Sequence, residues 1–278
     1  MFTVIAIKIF LVAICAGFLG ALLGLGGGII ITPALTLMFG LDIRYAIGAS
    51  IVSVIATSSG AAIAYLKDKI TNVRIGMFLE IGTTLGAITG AFLSGILDPK
   101  YLYVIFGLLL LYSAVTMLRK TKAELPQDVK NHPLAGKLSL NGEYYDKVLN
   151  QQVAYNVDGV WGGLGMMYVA GVISGLLGIG SGIFKVMAMD FFMKLPLKVS
   201  SATSNFMIGV TAAASAGVYF LRGDIDPKIA APVALGVLLG ATVGTRAMQR
   251  LKSRTIRWIF IPVLLFVSIQ MIVKGVQL

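Results

Sequence analysis

The chain has 278 residues, 57% of them hydrophobic and 13% charged, with a mean hydropathy of +0.89. Such a composition excludes a soluble domain and defines an all-α integral membrane protein with several spans. The net charge of +11 would suggest nucleic acid in a soluble protein, but the excess is spread over short loops between apolar stretches, so membrane topology accounts for it and no nucleic-acid partner is expected. The single Cys15 rules out an intramolecular disulfide, and no Cys/His cluster has metal-ligand spacing, so neither metal nor cofactor is expected.

The first apolar segment, residues 4 to 39, is interrupted at Gly17-Phe-Leu-Gly-Ala-Leu-Leu-Gly-Leu-Gly-Gly-Gly28. Its start resembles a signal peptide, but it runs into a motif with a partner later in the chain, so it reads as mature protein. Apolar stretches follow at about 46 to 66, 75 to 95 and 101 to 118. The polar segment 119 to 158 then carries Asn141-Gly142 between short alternating runs, which reads as a small β-hairpin in a linker whose simplest role is to tether two halves. A second interrupted segment spans 160 to 193 and contains Gly171-Val-Ile-Ser-Gly-Leu-Leu-Gly-Ile-Gly-Ser-Gly182. Further stretches lie at about 200 to 220, 229 to 248 and 255 to 273.

A constant offset of 154 superposes Ser50 on Ser204, Thr57 on Thr211, Tyr65 on Tyr219 and Leu85 on Leu239. It also places Gly82, Gly86 and Gly90 on Gly236, Gly240 and Gly244. A gapless register of this length indicates a duplicated unit. The expected organisation is an N-terminal repeat (1–118), a linker (119–158) and a C-terminal repeat (159–278).

Charge sets the expected orientation. If each half crossed four times, Lys and Arg would divide 13 to 9 between the two sides, with Lys185 inside the membrane. If each Gly-broken segment is a helical hairpin that returns to its own side, three crossings per half remain and the repeats are inverted. The linker side then holds sixteen basic residues, among them Lys67, Arg74, Arg119 and Arg246, and the far side holds six: Lys8, Arg44, Lys100, Arg222, Lys228 and Lys274. The positive-inside rule favours the second arrangement, in an inner (cytoplasmic) membrane with the linker in the cytoplasm and both termini outside. The parity is the same whether the hairpins span the bilayer or re-enter halfway.

Broken apolar segments in matching positions of two halves mark the binding site in many secondary transporters, because backbone groups can face a substrate only where a helix is interrupted. The tips Gly24, Gly26, Gly27, Gly28 and Gly178, Gly180, Ser181, Gly182 are therefore the first candidates for substrate binding, their amides suiting an anion. Close helix packing is the alternative role for such glycines, and the preferred one for Gly82, Gly86 and Gly90. The next helix of each half adds Ser50 and Thr57, and Ser204, Asn205 and Thr211, as uncharged donors, with helix–helix or backbone bonding as the alternative.

Lys185, three residues past the second tip, puts a cation beside the anion site unless it pairs with Asp190. Asp190 itself is better placed for a helix-surface pair with Lys194, four residues on. Glu80 either snorkels to the surface or titrates with transport as a proton-coupling carboxylate.

An enzyme is not expected. Gly178-Ile-Gly-Ser-Gly182 lacks the glycine that a nucleophile elbow needs at position 179, and the only histidine, His132, lies in the linker. No Walker A lysine follows either glycine run.

The doubled motif, Pro33 after its first copy, the Ser/Thr-rich helix that follows and the central polar loop resemble the TauE/SafE sulfite-exporter family of bacterial and archaeal membrane transporters. The resemblance covers both halves. It implies a secondary transporter that moves small sulfur-containing anions, of the sulfite or organosulfonate class, across the cytoplasmic membrane by alternating access, driven by an ion gradient. Ser181 and Lys185 depart from Gly27 and Ile31, so the halves are not expected to contact substrate identically. An anion channel is the alternative within transport, and a membrane scaffold or sensor working through the linker is the alternative outside it. The expected partners are the anion and the lipid bilayer, with homo-oligomerisation left open.

Overall fold

The computed structural model describes residues 2–23, 27–67, 70–118, 129, 131–146, 151–248 and 253–278. The first half comprises α1 (Phe2–Leu23), α2 (Gly28–Met38), α3 (Ile43–Lys67), α4 (Val73–Ile96) and α5 (Pro99–Leu118). A segment with α6 (Pro133–Lys137), β1 (Gly142–Asp146) and β2 (Gln151–Tyr155) leads to the second half. That half comprises α7 (Val160–Leu177), α8 (Gly182–Met187) continued by a π-helical turn (Ala188–Phe192), α9 (Leu197–Arg222), α10 (Pro227–Met248) and α11 (Ser253–Gln277). Among the described residues, α4, α5, α7, α9 and α10 contain stretches long and apolar enough to cross a bilayer. The chain is a helical, multi-pass membrane protein.

Local sequence sets the boundaries. Asn72 caps α4 by accepting from the Ile75 amide at 3.0 Å, which satisfies one orphan donor of the first turn. Gly178 and Gly223 close α7 and α9 in the left-handed region, at φ 67° and 81°, a conformation glycine adopts without steric cost.

Helix packing follows the glycines. The most extensive contacts are α1 on α10, α4 on α7 and α5 on α11. A Cβ at Gly86 would fall on the Tyr168 carbonyl, one at Gly240 on the Ile14 carbonyl, one at Gly171 on the Thr83 carbonyl and one at Gly17 on the Val237 carbonyl. Each contact reappears when one residue is shifted up by 154 and its partner down by 154. Close approach, with van der Waals packing, is what these glycines supply in a membrane that offers no hydrophobic drive between helices.

The segment between the halves contains an antiparallel hairpin, with Gly142 opposite Tyr155 and Asp146 opposite Gln151. Asn141-Gly142 opens β1 and does not form the turn, because pairing already begins at Gly142; the connection falls at 147–150, outside the described residues. The hairpin is docked. Ala135, Leu140 and Val157 are buried with Ile75, Leu79, Met189 and Met193, and the Asn72 side chain donates to the Leu140 carbonyl at 2.8 Å and the Tyr155 hydroxyl at 2.9 Å. Burial pushes the Tyr155 hydroxyl pKa up, against the lowering effect of its bond from Asn72.

Candidate functional site

The interrupted segments meet inside the molecule. Gly28 opens α2 and Gly178 ends α7, and the Ser50 hydroxyl on α3 reaches the carbonyl oxygens of both, at 3.2 and 2.8 Å. Ser204, on α9, donates to the Gly182 carbonyl at 3.1 Å, so Ser204 stands to Gly182 as Ser50 stands to Gly28. These two serines are cross-links between a continuous helix and the break beside it. Gly24 and Gly26 lie outside the described residues; Gly27, Gly28, Gly180 and Gly182 are buried.

The remaining polar side chains divide sharply. Thr57 donates to the carbonyls of Ser53 and Val54, at 3.0 and 3.2 Å, and Asn205 donates to Ser201 at 3.0 Å, which keeps these polar atoms within their own helices. Thr211, the counterpart of Thr57, is fully buried and bonds across helices. Its Oγ1 accepts from Lys185 Nζ and lies 2.6 Å from Glu80 Oε1. The Met207 carbonyl is a second acceptor for the same hydroxyl, at 2.9 Å. Because Lys185 can only donate and an ionised carboxylate can only accept, Thr211 relays between them.

Lys185 is itself wholly buried. The sequence left Asp190 as its alternative partner; the structure sends its hydrogen bond to Thr211 instead. Asp190 falls in the π-helical turn, which ends at Phe192, and Lys194 has a positive φ of 57°. The regular four-residue pairing therefore does not form, and Lys194 acts on Asp190 only as a nearby charge. Glu80 does not turn to Arg74, whose guanidinium donates to the Ser139 carbonyl. It faces inward to Thr211 and Thr84, and its Oε2 is buried without a partner among the described residues.

At the second tip, Gly178, Gly180 and Ser181 all have positive φ, and Ser181 is the only one with a side chain. Its hydroxyl is buried, without a hydrogen-bond partner among the described residues, and lines a cavity of about 10 Å³ with Ile29, Leu109, Ser113, Ile179 and Phe184. That is room for roughly one water. Ser113, and Tyr112, whose ring stacks on Phe184 at 5.7 Å between centroids, are neighbours of the site that sequence reasoning missed. Ser113 could have been noticed as the one serine in the apolar span 101–118.

Helices broken in matching places, with a fully buried lysine at one break linked through Thr211 to a part-buried carboxylate on α4, mark a helical membrane transporter. The comparisons narrow this further. The family model for the sulfite exporter TauE/SafE matches residues 9–271, and the chain belongs to that family. It is similar to the probable membrane transporter protein YunE of Bacillus subtilis, at 28% identity with 94% of this chain and 95% of the relative covered. Probable membrane transporter proteins of Methanocaldococcus jannaschii (24% identity; 89% and 88% covered) and Haemophilus influenzae (24%; 96% and 93%) are also similar. No solved structure matches the chain.

Proposed function

We propose that the protein is a secondary transporter that carries small sulfur-containing anions across the cytoplasmic membrane by alternating access. The substrate site lies between the two helix breaks. Lys185 supplies its charge, Ser181 and the backbone about Gly180 and Gly182 supply neutral donors, and Glu80 couples transport to protons. The observation that carries this reading is a lysine buried completely beside a glycine-broken helix, since a charge held in that position is costly unless it serves a ligand or a pathway.

Two inverted repeats form the carrier. Contacts that recur under the paired shift of 154 support a two-fold relation between the halves, and the asymmetry of basic residues supports a cytoplasmic linker with both termini outside. Rocking of one repeat against the other about the two breaks would expose the site to each side in turn.

Purified protein in proteoliposomes tests this with labelled sulfite, sulfate, thiosulfate and taurine. Saturable flux of a sulfur oxyanion, lost in Lys185→Ala, is the expected result. Absence of flux for every anion, with and without a proton gradient, would remove the transporter reading, and conductance beyond the rate of a carrier cycle would replace it with a channel.

A further inference from the structure

The geometry points to proton–anion symport in which Glu80 is the resident counter-ion of Lys185, released by protonation when the substrate anion takes its place. This rests on the transporter reading above and specifies its coupling.

The argument begins with charge. A lone ammonium in the membrane interior is costly, and removing one member of a buried ion pair costs much more than the pair is worth. Lys185 is fully buried and its bond goes to Thr211, whose hydroxyl passes its own hydrogen on to Glu80 at 2.6 Å. Cation and carboxylate thus neutralise one another through a single hydroxyl. An anion arriving at Lys185 meets a carboxylate already serving it, and two anionic groups sharing one cation repel unless one accepts a proton. The proton therefore adds to Glu80, arriving from the same aqueous compartment as the anion, while Lys185 keeps its own. Glu80 Oε2, buried and without a partner among the described residues, is an oxygen with an unused lone pair on which it can settle.

Net charge then closes the cycle. The empty site holds one cation and one carboxylate; the loaded site holds one cation, one substrate anion and a neutral carboxylic acid. Both forms are neutral for a monovalent substrate, so both can reorient. A site with a free Lys185 and neither counter-ion is the form that cannot.

No other described charge competes at this point. Along α4, Arg74 is held by Ser139. On α7, Tyr168 bonds Thr89, nine residues beyond Glu80. On α9, Arg222 is engaged with Asp224, Ala91 and Ser94, and Lys198 sits thirteen residues before Thr211. Beyond α8, Asp190 faces the charge of Lys194.

The experiment uses the full-length protein in liposomes containing a fluorescent pH reporter, with labelled isethionate as the probe. A sulfonate remains ionised throughout the range, so every proton counted belongs to the carrier. The wild type should bring in one proton per isethionate, at a rate unaffected by an imposed membrane potential. Glu80→Gln should lose net uptake, because its empty form strands the cation, yet retain isethionate–isethionate exchange, in which no proton is carried. Isethionate uptake without protons, or proton-coupled uptake surviving in Glu80→Gln, overturns the inference and the coupling role of Glu80, and leaves anion transport at the two breaks intact. If Glu80→Gln is inert in both modes, the wild-type proton-to-anion ratio decides: about one supports the inference and zero overturns it. Absence of flux for any anion removes both readings together.

Discussion

The two halves put matching sequence positions to different use at their helix breaks. In the first, Gly27 has φ −66°, a conformation open to any residue; what it needs is space, because a Cβ there would lie 2.8 Å from Val237 Cγ1. In the second, Ser181 occupies the corresponding place at φ 46°, where glycine would be the easy choice. Four residues on, Ile31 packs into an apolar cluster with Leu35 and Val237, whereas Lys185 bonds Thr211. Thr57 keeps its hydroxyl inside its own helix and Thr211 crosses to Glu80. At the breaks themselves the polar side chains, Ser181 and Lys185, sit in the second half, while Glu80, the carboxylate linked to Lys185 through Thr211, comes from the first. A residue that departs from its repeat partner against local preference is the one to suspect of function.

The comparison breaks most decisively at Ile31 and Lys185. Ile31→Ala should cost about 2–5 kcal/mol of stability through the cavity it leaves, while the surviving folded protein keeps its anion affinity. Lys185→Ala should weaken anion binding by about 100-fold or more, since it removes a charged, desolvated hydrogen-bond donor. Lys194→Ala should leave binding unchanged. Thermal melting in detergent and equilibrium binding of labelled anion separate the two effects; equal losses of affinity in Lys185→Ala and Lys194→Ala would take Lys185 out of the site.

Where the halves are alike, their variants should be alike. Gly86→Ala and Gly240→Ala drive a methyl onto the carbonyls of Tyr168 and Ile14, and each should destabilise by about 1–3 kcal/mol. Melting temperatures that fall by similar amounts would confirm equivalent packing; a large inequality would show that the two helix pairs are not packed alike. Thr211→Val and Thr57→Val should differ. The first leaves Lys185 and Glu80 without their link, costing about 1–3 kcal/mol, and the second removes only backbone back-bonding and should cost less than about 0.5 kcal/mol.

Much of this was legible in the chain. The duplicated glycine motif, the register of 154 and the three residues Glu80, Lys185 and Thr211 are each visible as departures from an apolar background. Their assembly was not, because Glu80 and Thr211 are separated by 131 positions and belong to different halves, and helical periodicity reports which face a residue occupies without saying what that face meets. Asp190 and Lys194 were paired by assuming a regular helix, and the π-helical turn with a left-handed residue after it removed the spacing. The Asn-Gly turn was misplaced because local turn preference yields to strand register once Leu140 and Val157 are buried against α4 and α7.

Ser181 offers the subtlest test of the comparison. A serine at φ 46° and ψ 29° costs about 1–2 kcal/mol relative to a relaxed backbone, and its hydroxyl finds no hydrogen-bond partner among the described residues to offset that. Strain of this kind persists where the surrounding structure enforces it for a function. Ser181→Gly should therefore raise the melting temperature, by an amount corresponding to about 1 kcal/mol, while weakening anion binding several-fold. Ser181→Ala should keep the strain and lose the same affinity. If Ser181→Gly binds anion as well as the wild type, the hydroxyl faces no substrate, and the chemical difference between the halves reduces to the charge on Lys185.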